Sequence, residues 1–179
     1  MRYITSDLHF LHKNILKHSP NTRPFTNMGE MTECLIRSIN SLENCEVLYH
    51  LGDFCFGNVN RQLRPIMEQI EVPIFFIWGN HDNHKMKNIV VDEYGHQGSH
   101  YIETKSNGKK VCMFHYPQYE WNMSHHGSIQ LHGHLHGRFP HIQGKTIDVG
   151  WDAHGRILTL DEAVQIADNK PLYSPIHGE

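Results

Sequence analysis

Short apolar runs of strand length recur along the chain, and each ends in a polar cluster. Tyr3-Ile4 leads into Ser6-Asp7-Leu8-His9, the run 47–51 into Gly52-Asp53, and the run 74–78 into Gly79-Asn80-His81-Asp82. The run 111–114 precedes His115, and 129–131 precedes Gly133-His134-Leu135-His136. Apolar runs that are nearly continuous rather than alternating predict strands covered on both faces. Between the first two runs, Met28, Met31, Leu35, Ile39 and Leu42 recur at three- and four-residue intervals, which predicts an amphipathic helix over 28–42 and a parallel βαβ unit. A second helix is predicted over 60–70, burying Leu63, Ile66, Met67 and Ile70, with Pro65 near its start. The rest reads as a hairpin of 99–103 and 110–114 around Asn107-Gly108, then a closing helix over 161–167. In an open α/β sheet, ligands bind beyond the carboxyl ends of the strands, which is where all five polar clusters would lie.

No repeat, low-complexity tract or linker interrupts the 179 residues, so a single domain over 1–179 is expected. No stretch approaches the roughly 20 apolar residues of a membrane span, which argues against a membrane partner. The amino terminus reaches Asp7 before a signal region could form, and the four cysteines lack metal-ligand spacing, so a cytoplasmic protein with reduced thiols is expected. Net charge is -3 and the Lys and Arg residues are spread along the chain, so no extended nucleic-acid groove is evident and any pull on phosphate must be local. Histidine changes this picture: 17 of them, against 16 Lys and Arg together, point to metal.

Asp7 and His9 leave one strand end two residues apart, and a carboxylate with an imidazole suits Zn, Mn or Fe. Such a pair is common by itself. In Gly133-His134-Leu135-His136-Gly137 the glycines leave room for an ion and two imidazoles alternate along an extended segment; His132, inside the strand, reads as packed or hydrogen-bonded. Asp53, Asn80 and His115 complete a set of seven donors, more than a single four-coordinate zinc takes, so two metals fit better than one. With Asp7 and Asp53 ionised, two divalent ions keep the site net positive and would supply the attraction for phosphate.

The ordered blocks D-x-H, G-D, G-N-H-D, a lone H and G-H-x-H resemble the calcineurin-like metallophosphoesterases. The resemblance covers the chain from Met1 to about Leu160, including Asp148-Val149-Gly150, which looks like the closing strand of compact phage and bacterial members. It implies two packed mixed β-sheets flanked by helices, a four-layer α/β/β/α sandwich. It implies that Asp7, His9 and His136 hold one metal and Asn80, His115 and His134 the other, with Asp53 bridging. The metal implied is manganese first, with zinc, iron or nickel also accepted by such donors. The nucleophile implied is a metal-bridging hydroxide, and His81 looks like the general acid or else a histidine that orients a ligand. Asp82 either positions His81 or closes the turn.

Leu11 stands where glycine is common in this family. His12 and Asn14 either touch substrate or cap a helix, Arg23 is a candidate phosphate clamp or a solvated charge, and Cys55 reads as a small buried apolar residue. His125, His126, His141 and His154 lack partner spacing, His154 being the best placed of them because it follows the closing strand. Phosphoprotein phosphatases of the superfamily carry G-D-x-x-D-R-G, whereas this chain reads Gly52-Asp53-Phe54-Cys55-Phe56-Gly57. The function expected is hydrolysis of a small, nucleotide-like phosphodiester. A phosphomonoesterase on the same site and a metal-stabilised binding protein are the alternatives; the intact ligand set argues against the latter. Oligomeric state stays open.

Overall fold

The first apolar run forms β1 (Arg2–Thr5), followed by a single turn, α1 (Ile15–His18), and by α2 (Met28–Asn40) and β2 (Val47–His50). The computed structural model describes residues 1–57, 59–139 and 141–173. The chain continues through α3 (Val59–Gln62), α4 (Arg64–Met67), β3 (Ile74–Ile77), α5 (His84–Asn88) with a π-helical turn over Ile89–Glu93, and β4 (Gln97–Ser99). A run of β5 (Tyr101–Ser106), β6 (Lys109–Phe114), β7 (Ile129–His132) and β8 (Thr146–Asp148) follows, then α6 (Trp151–His154), β9 (Leu158–Thr159) and α7 (Leu160–Asp168). Among the described residues no helix is long and apolar enough to cross a membrane.

Five strands form one sheet in the order β4-β3-β2-β1-β9, and four form the other in the order β5-β6-β7-β8. Both are mixed: β1, β2, β3 and β4 run parallel with β9 antiparallel, and β6, β7 and β8 run parallel with β5 antiparallel. Ile4, Leu51 and Ile77 of the first sheet's side meet Val111, Met113, Ile129 and Leu131 of the second in one core, which α7 completes with Leu160, Ala163, Val164 and Ala167. On the other face of the first sheet, Tyr3, Leu48, Ile74 and Phe76 pack against Met31, Leu35 and Ile39 of α2, Ile66 and Met67 of α4, and Met86 of α5. This gives two mixed sheets flanked by helices, as the resemblance implies, and every side chain of β7 is buried, the polar Gln130 and His132 along with Ile129 and Leu131.

Local chemistry sets the element ends. Asn27 caps α2 by accepting from Glu30 N at 3.0 Å, while the Glu30 carboxylate accepts from Thr26 N at 2.8 Å. The helix stops at Asn40, two residues short of the expected 42. The helix expected over 60–70 is broken into α3 and α4: Pro65 has no N–H to give to the preceding turn, so α4 starts afresh around it. The hairpin strand expected over 99–103 is divided as well. Ser99 ends β4 in the first sheet, its hydroxyl bonding to Tyr101 O at 3.0 Å across a corner at His100, and β5 begins in the second sheet. Neither event leaves a mark in local hydropathy.

One residue of the first sheet is anomalous. His50 is fully buried between Phe54 and Phe76, and neither ring nitrogen finds a partner; its register neighbour Thr5 also has an unpaired hydroxyl. Burial, together with the charge of His115, holds the imidazole down to about 3. The folded state therefore keeps His50 neutral while the unfolded chain protonates it near 6.5. Stability from this group is complete above the unfolded value and falls as the pH drops toward 3. His50→Leu is expected to stabilise the fold by roughly 1–3 kcal/mol at neutral pH, by removing unpaired polar atoms, and to flatten the acid limb of urea stability measured from pH 7 to 4. An unchanged acid limb would refute the assignment.

Candidate metal centre

The loops after β1 and β2 run side by side. Asp7 N donates to Gly52 O at 2.9 Å, His9 N to Asp53 O at 3.0 Å and Phe10 N to Phe54 O at 2.8 Å, and Phe56 N returns to Phe10 O at 2.8 Å. This ladder carries Asp7, His9 and Asp53 together. From the second sheet, His134 N donates to Asp7 Oδ2 at 2.9 Å, and Ser6 Oγ donates to the same oxygen at 2.6 Å. Five candidate ligands have left-handed backbones: Asp7 (φ 55), His9 (φ 52), Asp53 (φ 58), His134 (φ 72) and His136 (φ 53). Such conformations cost about 1–3 kcal/mol each and persist where the surroundings enforce them, as they do at functional sites. The motif glycines make the space: a Cβ on Gly79 would stand 2.2 Å from Asp53 Oδ1, and one on Gly133 2.4 Å from Asp7 Oδ2.

Asp7, His9 and His136 form one group, and Asp53, His115 and His134 another, each contributing ligand atoms within 4.8 Å of one another. Asp7 Oδ1 lies 3.8 Å from His9 Nε2 and 3.9 Å from His136 Nε2. Donors about 2.1 Å from one ion stand roughly 3–3.5 Å apart, so these two pairs would draw in by roughly 0.3–0.9 Å around a cation. Asp53 Oδ2 sits between the groups, 3.9 Å from His9 Nε2 and 3.6 Å from His115 Nε2.

The donors fit cations rather than one another. Asp7 Oδ1 and His9 Nε2 are buried without a hydrogen-bond partner. His115 Nδ1 lies 2.7 Å from Leu51 O, which fixes the proton on Nδ1 and leaves Nε2 a bare acceptor 3.1 Å from another acceptor, Asn80 Oδ1. Without a cation, burial pushes Asp7 up to about 7, against the charges of His115 and His136, and holds His9 down to about 2. Burial lowers His134 as well.

Of the other expected residues, Arg23 is corrected. It faces no solvent: its Nε donates to Asp152 Oδ1 at 2.8 Å and its amino groups to Leu8 O at 2.9 Å and Asp7 O at 2.6 Å, so it props the D-x-H backbone from behind and clamps no phosphate. Asp82 is buried in the turn, with both carboxylate oxygens engaged by backbone N–H groups. It accepts from Asp53 N, Phe54 N and Gly79 N at 2.9, 2.9 and 2.8 Å and so ties the third strand's loop to the second's. His81 stands at the mouth, 39% exposed, with Nε2 3.9 Å from Asp53 Oδ2. His12 lies beside it, its ring 5.4 Å from that of His9, while Asn14 only precedes α1 and makes no side-chain cap. Cys55 is buried, which pushes its thiol up. His132 bonds within the second sheet, with Nδ1 2.9 Å from Gly133 O. His125, His126, His141 and His154 stand outside both groups, His154 Nε2 lying 2.8 Å from Asp148 O.

Sequence reasoning missed Asp152. Its Oδ2 lies 2.6 Å from His136 Nδ1, and Thr22 and Arg23 hold its Oδ1. Burial would lower the His136 imidazole, but the Asp152 hydrogen bond and the Asp7 charge prevail and hold it up. This is the carboxylate–histidine arrangement that fixes a ligand's tautomer. The only signal for it was an acidic residue just after the closing strand.

Residues 2–149 match the family model of the calcineurin-like phosphoesterase superfamily domain. The chain is 34% identical over 149 residues to "Uncharacterized protein MJ1445" of Methanocaldococcus jannaschii, covering 80% of this chain and 76% of that one. Among solved structures, the protein of unknown function AQ665 from Aquifex aeolicus superposes with a TM-score of 0.68 at 22% identity, covering 93% of this chain and 98% of its own. The Pseudomonas putida nuclease MPE superposes with a TM-score of 0.52 at 19% identity over 75% of this chain and 61% of its own, a likeness of fold. The chain belongs to the calcineurin-like phosphoesterase superfamily.

Proposed function

We propose that this chain, a hydrolase of phosphoric esters by family, is a two-metal phosphodiesterase acting on a nucleotide-like or other small diester. The observation that carries this reading is the position of Asp53 Oδ2, which lies within 3.9 Å of a donor from each group and of the half-exposed His81 Nε2. Asp7, His9 and His136 would hold one cation, Asn80, His115 and His134 the second, and Asp53 both. Manganese is the metal proposed, given the mixed carboxylate, amide and imidazole donors. Two divalent ions, when bound, would supply a more acidic water and offset the charge on the phosphoryl oxygens. His81 Nε2 would give its proton to the departing oxygen, a service that an alkoxide needs and that favours diesters. Four free cysteines support a reducing, cytoplasmic setting.

The test is hydrolysis of bis-p-nitrophenyl phosphate against p-nitrophenyl phosphate by manganese-loaded protein, with His136→Ala as the control. Metal-dependent turnover of the diester, lost in the variant, is the expected result. Turnover of the monoester alone would replace the diesterase reading, and no turnover with any divalent metal would remove it.

A further inference from the structure

Two aromatic rings flank the donor groups on different sides. Phe56 is 38% exposed, yet its ring sits edge-on to His81 at 4.8 Å and to His12 at 4.3 Å. Tyr116 is 37% exposed and packs edge-on against His134 at 4.8 Å and His115 at 4.9 Å. Both are mounted on fixed backbone: Phe56 N donates to Phe10 O at 2.8 Å, and the fully buried Gln130 donates through Nε2 to Tyr116 O at 3.2 Å. Exposed aromatics normally lose contact area to water. Two of them held against the histidines of a phosphoesterase site offer flat faces on which rings can stack.

Resting on the two-metal diesterase reading, we infer that Phe56 and Tyr116 select a diester carrying a flat ring on each ester arm, that is, a phosphate joining two nucleosides. Phe56 takes the leaving arm, because it packs on His81, which protonates the departing oxygen. Tyr116 takes the retained arm, because it packs on His134 and His115 in the group away from His9 and His12. A chain of net charge -3 with scattered cations cannot grip a long phosphate backbone, so stacking is the natural source of affinity here. Stacking of one base changes affinity by about tenfold to a hundredfold.

The test compares thymidine 5′-(p-nitrophenyl phosphate), with a ring on both arms, and methyl p-nitrophenyl phosphate, with a ring on the leaving arm alone. Wild type should prefer the thymidine diester in kcat/KM by about tenfold or more. Tyr116→Leu, which keeps bulk against His134 but offers no flat face, should abolish that preference, mainly through KM, and Tyr116→Phe should restore it. Phe56→Leu should lower kcat/KM for both diesters about tenfold while leaving their ratio within about twofold. A wild-type ratio near one, or a ratio that Tyr116→Leu leaves intact, would overturn the inference while the diesterase reading stands. If wild type hydrolyses neither diester with any divalent metal, that reading fails and the inference falls with it.

Discussion

His81→Ala should slow hydrolysis of a diester with an alkoxide leaving group by about 10²–10⁴-fold, and of one with a p-nitrophenolate leaving group by less than about tenfold. The asymmetry follows from the place of the imidazole. His81 is outside both donor groups, is partly exposed, and is held through its own N–H, which donates to Asp53 Oδ1 at 2.9 Å. A proton donor matters most when the departing oxygen is strongly basic; p-nitrophenolate departs without help. A histidine whose role was to orient Asp53 would instead slow both substrates alike. Rates for a dinucleotide and for bis-p-nitrophenyl phosphate, measured on wild type and variant at saturating manganese, separate the two roles. Equal losses would remove the general-acid assignment.

Asp152→Ala should carry the second large effect, divided between stability and metal affinity. The variant strips Arg23 of its carboxylate while leaving the guanidinium enclosed, and breaking such a buried pair costs about 3–5 kcal/mol. It also frees the His136 ring, for which loss of the supporting carboxylate weakens metal binding about 10–100-fold. Urea denaturation reads the first and manganese titration calorimetry the second. Arg23→Met combined with Asp152→Leu removes both charges together, so it should recover most of the stability without the affinity. A single variant that keeps stability within about 1 kcal/mol of wild type and binds manganese as tightly would refute both roles.

The two candidate donor groups were legible because each member follows an apolar strand within a few residues, so local order in the chain became spatial order at one end of two sheets. Asp7, His9, Asp53, His115, His134 and His136 fall into their groups for that reason. Arg23 was misread because its burial is decided by Asp152, 129 residues away, and no local pattern encodes that pairing. Asp152 escaped because an acid after a strand is ordinary until His136 is folded against it. The division of the strand at Ser99 depends on which sheet has an open edge, a property of the assembled fold. Phe56 and Tyr116 drew no notice for the same kind of reason: their meaning lies in the histidines they touch, not in their neighbours along the chain.

The donor groups have a consequence for how the molecule holds together. Asp7 and His9 follow a strand of the five-stranded sheet and His136 one of the four-stranded sheet; Asp53 likewise belongs to the first, and His115 and His134 to the second. Any cation held by either group is therefore a rivet through the seam between the sheets, at the end where the strands give way to the donor loops. By linkage, metal at a hundredfold excess over its Kd would add about 2.7 kcal/mol to the stability of the folded chain. Metal supply would then set the stability of the folded chain as well as its turnover, and a chelator would lower both together.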